Sequence, residues 1–174
     1  MSTSQSLLRI NVGFIVHQSN GYSRDFPIEI PHLAFMDLEF ENLVGNALVS
    51  RTTEGLLVQF KGHAQTKVDC VLCLEPFHQS IDLDFIEMYT FPSHADQDTE
   101  LILPDDLHID LHPLIGEYLC LEIPISPICK PDCKGLCPVC GENLNLVTCD
   151  HQEESVDPRL SVLKTLLNDE SSPD

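Results

Sequence analysis

The sequence predicts an α+β protein, mainly antiparallel β-sheet in a meander or a partly closed barrel, with two helices and a metal-stabilised C-terminal lobe. Three observations predict it. Apolar and polar residues alternate with period two in several runs between Leu8 and Tyr89, and turn-forming pairs such as Asn20-Gly21 and Glu54-Gly55 separate the runs. Leucine and isoleucine recur at helical spacing from Leu111 to Leu119 and from Leu160 to Leu167. Five of the eight cysteines crowd between Cys129 and Cys149, a density that suits metal ligation better than core packing.

Taken in order, Leu8, Ile10, Val12, Phe14 and Val16 alternate with Arg9, Asn11 and Gly13, the pattern of a half-buried strand, and Asn20-Gly21 then reads as a hairpin turn. Phe26, Ile28 and Ile30 continue the alternation, with Pro27 assigning that strand to a sheet edge. Leu38 and Phe40 alternate with Asp37, Glu39 and Glu41, whose carboxylates face water. A strand near 47–52 turns at Glu54-Gly55 into a longer one over 56–68, and Glu75-Pro76 sends the chain back through Ile81, Leu83, Phe85 and Tyr89. Residues 92–108 are acidic and proline-punctuated, a surface excursion. Asp110 is placed to cap a helix that carries Pro113 in its first turn and Leu111, Leu114, Ile115, Tyr118 and Leu119 on its core face. Pro124 and Pro127 end it, so it packs on the sheet and delivers the cysteine-rich segment to the end of the long strand. A last helix starts at Asp157-Pro158, with Leu160, Leu163, Leu166 and Leu167 on one face.

Length and composition bound the rest. With 174 residues and 43% hydrophobic content the chain can bury one real core. The expected organisation is one compact unit, a sheet domain with one helix over 1–128 and a metal-binding lobe with the terminal helix over 129–174. No run of eighteen apolar residues and no basic n-region followed by an apolar stretch occurs, so a cytoplasmic protein is expected. In a reducing compartment C-x-x-C pairs are metal ligands more readily than disulfides.

Cys70-Val71-Leu72-Cys73 and Cys137-Pro138-Val139-Cys140 are two such pairs. Zinc takes four soft or borderline ligands in a tetrahedron, and a C-x-x-C loop supplies two of them from one turn. Ligand counting gives two zinc sites, Cys70, Cys73, Cys129 and Cys133 for one and Cys137, Cys140, Cys149 and His151 for the other. A competing grouping joins Cys129, Cys133, Cys137 and Cys140 and leaves Cys70 and Cys73 to redox chemistry or a second metal. Cys120 has no partner at ligand spacing and reads as core, and His63, His78, His94, His108 and His112 read as surface or loop residues.

The run Cys-Lys-Gly-Leu-Cys-Pro-Val-Cys-Gly-Glu-Asn-Leu-Asn at 133–145 resembles the C-terminal motif of the YceD-like family, the large ribosomal RNA subunit accumulation proteins of bacteria and plastids. Cys-Val-Leu-Cys-Leu-Glu-Pro-Phe at 70–77, Ile-Pro-Ile-Ser-Pro at 123–127 and Asp-Pro-Arg-Leu-Ser-Val-Leu-Lys at 157–164 agree with it. Many relatives end the motif in C-x-C where this chain has Cys149-Asp150-His151, and histidine is a sound replacement at zinc. Some lack the Cys137/Cys140 pair, which implies two separable sites.

The resemblance implies a ribosome biogenesis factor that acts by binding and supports large-subunit rRNA accumulation or processing. Full sets of four protein ligands are structural rather than catalytic, and no P-loop, nucleophile elbow or Rossmann glycine pattern occurs, so no enzyme and no small-molecule substrate are expected. The alternative is a zinc-dependent thiol redox switch or chaperone. Nine Lys+Arg against 28 Asp+Glu give a net charge of −19, which disfavours direct hold on a phosphate backbone and makes ribosomal RNA an indirect partner. The expected partner is a basic ribosomal protein or assembly factor.

Overall fold

The computed structural model describes residues 8–150. Six strands and two helices follow one another: β1 (Arg9–Asn11), α1 (Gly13–Val16), β2 (Ser23–Phe35), β3 (Leu38–Arg51), β4 (Gly55–Asp69), β5 (Pro76–Thr90), β6 (His108–Asp110) and α2 (His112–Glu122). The frame is a four-stranded antiparallel meander in the order β2-β3-β4-β5, beside a two-stranded pair of β1 with β6. The meander stays open and does not close into a barrel.

The alternation read from the sequence is the alternation of the sheet. Ile28, Ile30, Phe40, Ala47, Val49, Val58, Phe60, Ala64, Ile81, Leu83 and Phe85 are buried on one face. Pro27 lies on edge strand β2 opposite Asn46. What read as two runs in 38–52 is one strand, because a register shift between Glu41 and Val44, with Asn42 at φ 53°, absorbs the break in period. Thr52 closes the turn into β4, its amide donating to the Gly55 carbonyl at 2.9 Å.

Helix α2 covers the buried face. Leu111, Ile115 and Leu119 are fully buried, and Gly116 lets the helix approach so closely that a Cβ there would lie 2.2 Å from the Phe35 ring. Tyr118 stacks on Phe85 with centroids 4.2 Å apart, and its hydroxyl donates to Glu87 on β5 at 2.6 Å. That bond to Glu87, with burial, raises the Tyr118 pKa.

Four further expectations need correction. Residues 8–16 are not one strand: the Asn11 side chain accepts the Gly13 amide at 2.9 Å, Val12 donates to Leu107, and the chain curls into α1. Asn20-Gly21 turns the chain, with Gly21 at φ 88°, but joins α1 to β2 instead of closing a hairpin, since β1 pairs with β6. The 92–108 excursion is partly anchored, because Thr90 bridges Ile102 and Leu103 is buried. The N-cap of α2 is Leu111, not Asp110, although Asp110 accepts the His112 amide at 2.9 Å. The expected helix over 157–167 lies outside the described residues. No helix among the described residues is long and apolar enough to cross a membrane.

Candidate metal centre

Strand β4 ends at Asp69, and the next four residues form a tight loop. The Leu74 amide donates to the Cys70 carbonyl at 2.9 Å and the Cys70 amide to the Glu75 carbonyl at 3.0 Å, which folds Cys70 and Cys73 toward the same point. The chain leaving α2 runs against this loop, the Val71 amide donating to Pro127 and the Leu136 amide to Leu72. Cys129 and Cys133 are thereby carried to the loop. Sγ of Cys70 lies 3.9 Å from that of Cys133, Sγ of Cys73 lies 3.8 Å from that of Cys129, and all four sulfurs fall within 4.8 Å of one another.

A second loop repeats the first. The Gly141 amide donates to Cys137 at 2.9 Å and the Cys137 amide to Glu142 at 2.8 Å. Cys140 Sγ lies 3.6 Å from Cys149 Sγ, and Cys137 completes a set of three within 4.8 Å. The sulfurs of Cys137 and Cys140 thus group with Cys149 and not with Cys129 and Cys133. His151 lies outside the described residues.

These separations suit thiolates around one metal ion. A disulfide needs about 2.05 Å, whereas a tetrahedron with metal–sulfur bonds of about 2.3 Å has edges of about 3.8 Å. Either cluster could hold a metal ion.

The profile of the family described as "Large ribosomal RNA subunit accumulation protein YceD" matches residues 58–167. This chain belongs to the YceD family. An uncharacterized protein of Mycobacterium bovis is 34% identical over 148 residues, 83% of this chain and 68% of its own length. The YlbN protein of Bacillus subtilis is 33% identical over 90 residues, 49% of this chain and 52% of its own. The chloroplastic "Large ribosomal RNA subunit accumulation protein YCED homolog 1" of Zea mays is 45% identical over 51 residues, 29% of this chain and 17% of its own. No solved structure matches the chain significantly.

In this YceD-family chain the surroundings of the thiols set how readily they ionise. Burial works against the Cys70 thiolate, but the amides of Cys129, Cys73 and Leu72 aimed at it bring its pKa down to about 6. Burial likewise opposes ionisation of Cys133, and the Asn145 side chain and Gly135 amide outweigh it. Cys137 is lowered by the amides of Cys140 and Val139. Burial and its sulfur neighbours push Cys129 up to about 12, and the Cys140 sulfur and burial do the same for Cys149. Each cluster therefore holds a thiol whose surroundings favour the thiolate beside one whose surroundings oppose it.

Asn145 is the residue that sequence reasoning passed over. Its Nδ2 donates to Cys133 Sγ at 3.4 Å and to Asn143 Oδ1 at 2.8 Å, and its Oδ1 accepts the Lys134 amide at 3.0 Å. It follows the second loop yet supports a sulfur of the first cluster. The only signal was its place in Gly-Glu-Asn-Leu-Asn, which spacing rules for ligands ignore. Cys120 packs at the edge of the hydrophobic core, away from both clusters. His63, His78 and His94 are exposed, while His112 and His108 are half-buried, with His112 Nε2 3.2 Å from the Ala34 carbonyl oxygen and His108 Nδ1 2.6 Å from that of Asp106.

Proposed function

We propose that the protein is a non-enzymatic factor supporting large-subunit ribosomal RNA accumulation or processing, built around two structural zinc sites and acting by binding a basic ribosomal protein or assembly factor in the cytoplasm. Cys70, Cys73, Cys129 and Cys133 hold the first zinc, and Cys137, Cys140, Cys149 and His151 the second. Zinc fits better than harder ions because every described donor is a thiolate. Residues 1–128 form the sheet domain and residues 129–174 the lobe, one unit joined through the first site. The observation that carries the reading is the convergence of four thiols from two distant segments of a YceD-family chain at tetrahedral spacing. Four protein thiolates leave no open coordination position, which supports a structural role over a catalytic one.

Charge supports a basic protein as the partner. Of the nine cations, Arg9 pairs with Asp106, Lys61 pairs with Asp84, and Arg24 and Arg51 lie over the rings of Phe14 and Phe91. Backbone binding to duplex nucleic acid typically uses about 6–10 phosphate contacts. A net charge of −19 opposes that and favours a basic protein, with ribosomal RNA engaged indirectly and neither membrane nor small-molecule substrate involved. The test is retention of purified ribosomal proteins by the zinc-loaded chain beside filter binding of protein-free large-subunit RNA, at low and physiological salt. Salt-sensitive retention of a basic protein is expected, and tight binding of naked RNA alone would overturn the reading.

A redox switch is favoured by one observation at the second site only: Cys140 is exposed and its sulfur sits 3.6 Å from that of Cys149. Peroxide that releases one zinc reversibly and creates new binding would establish it, whereas zinc inert to peroxide would dismiss it.

A further inference from the structure

An antiparallel sheet with one solvated face normally places polar residues there. The outer face of this meander departs from that rule. Strand register sets Leu48 beside Gln59 and Gln59 beside Ile86, and in the next row Leu57 beside Met88. Leu48, Leu57, Ile86 and Met88 therefore form one apolar patch on adjacent strands, with Ile86 57% and Met88 36% exposed. Core packing does not explain them, because the opposite face already packs against α2.

The patch has a shape and a charged border. Leu48, Gln59 and Ile86 line a shallow concavity of about 400 Å³ together with Asp25, Asn46, Lys61 and Asp84. Along the polar rim Asn46 donates to Asp25 at 2.6 Å and Lys61 to Asp84 at 2.8 Å. The exposed side chains of Glu29 and Asp82 extend the acidic border along the same face, adding two carboxylates to those of Asp25 and Asp84.

We infer that this face, centred on Leu48, Leu57, Ile86 and Met88, is the docking surface for a segment of a basic protein that presents apolar side chains between lysines or arginines. Apolar side chains of the segment fill the concavity, and its cations meet Asp25, Glu29, Asp82 and Asp84, which gives both area and steering. The inference rests on the reading above for the partner's charge and adds where that partner sits. A second copy of the chain is disfavoured, since two such faces would oppose carboxylate to carboxylate.

The experiment follows methyl and amide resonances of the full zinc-loaded chain during titration with a synthetic peptide alternating leucine and arginine, and with a control alternating leucine and glutamate. Shifts at Leu48, Leu57, Ile86 and Met88 with the basic peptide alone, weakening with salt, are expected. The double variant Ile86→Thr/Met88→Thr, which keeps β-branched or exposed positions in the sheet, should lose about tenfold or more in peptide affinity and in retention of the ribosomal protein. If the wild type retains a ribosomal protein and the double variant retains it equally, the surface is wrong and the functional reading stands. If no ribosomal protein is retained but the basic peptide docks on this face, the functional reading fails and the surface stands. Peptide shifts elsewhere, contacts from residues 151–174 to Ile86 or Met88, or concentration-dependent burial of the face by a second copy would each overturn the inference.

Discussion

The two cysteine loops have the same backbone and opposite consequences. In each, the residue four past the first cysteine donates to that cysteine's carbonyl, and the first cysteine donates to the residue five past it. In each, the fourth residue has a left-handed backbone, Leu74 at φ 59° and Gly141 at φ 75°. The first loop meets partners 56 and 63 residues away, across β5 and α2, and its own cysteines are buried. The second meets Cys149, only nine residues from Cys140, and Cys140 is exposed. Identical local geometry thus serves a long-range tie in one place and a local clasp in the other, and what differs is how much chain each closure orders.

The comparison breaks most visibly at the first cluster. Cys70→Ser/Cys73→Ser should remove one zinc equivalent, abolish amide protection over about residues 129–136 and leave the second loop protected by its own zinc, because structural zinc contributes on the order of 10 kcal/mol that becomes folding free energy. Hydrogen exchange and metal analysis check it, and an unchanged zinc stoichiometry would defeat the assignment. Cys137→Ser/Cys140→Ser should also cost one equivalent, but lose protection only within about 134–149 and leave the sheet and the first cluster protected. Global unfolding of that variant would show that the second site is no mere clasp.

Smaller changes sharpen the contrast. Asn145→Ala should weaken metal at the first cluster about tenfold, the usual cost of removing a hydrogen bond to a ligand, while leaving the second cluster's affinity within about twofold. Competition with a chromophoric chelator separates the two, and equal weakening of both sites would mean that Asn145 supports the whole lobe. Smallest is the exchange at the left-handed position. Leu74→Gly should stabilise the first loop by about 1 kcal/mol, and Gly141→Leu should destabilise the second by about the same amount, since a side chain costs about 1–2 kcal/mol in that conformation. Thermal melts of the zinc-loaded variants measure both signs, and a destabilised Leu74→Gly would mean that the exposed Leu74 side chain makes contacts worth more than the strain.

Much of the frame was legible because it is local. Alternation over 26–30, 56–68 and 81–89 marked strands whose buried faces are now seen, Pro27 marked an edge, and the stripe from Leu111 to Leu119 marked a core-facing helix. The errors arose where a short pattern has two solutions. Residues 13–16 satisfy both a strand and one helical turn, and the bond from Gly13 to Asn11 chooses the turn. Three-residue strands such as β6 carry too few side chains to show a period, so its pairing with β1 was invisible.

The sequence by itself determined most of the meander, the helix before the cysteine-rich segment and the two loops of the metal centre, because each depends on residues within a few positions of one another. The tertiary structure decided which loops meet. Ligand spacing left Cys129 and Cys133 open to either neighbour, and only the return of the chain through β5 and α2 sets their sulfurs against Cys70 and Cys73. It also decided that Asn145 supports Cys133 and that Leu48, Leu57, Ile86 and Met88 cluster on the outer face of the sheet. Spacing along a chain says which loop can close; where closed loops come together depends on the packing of everything between them.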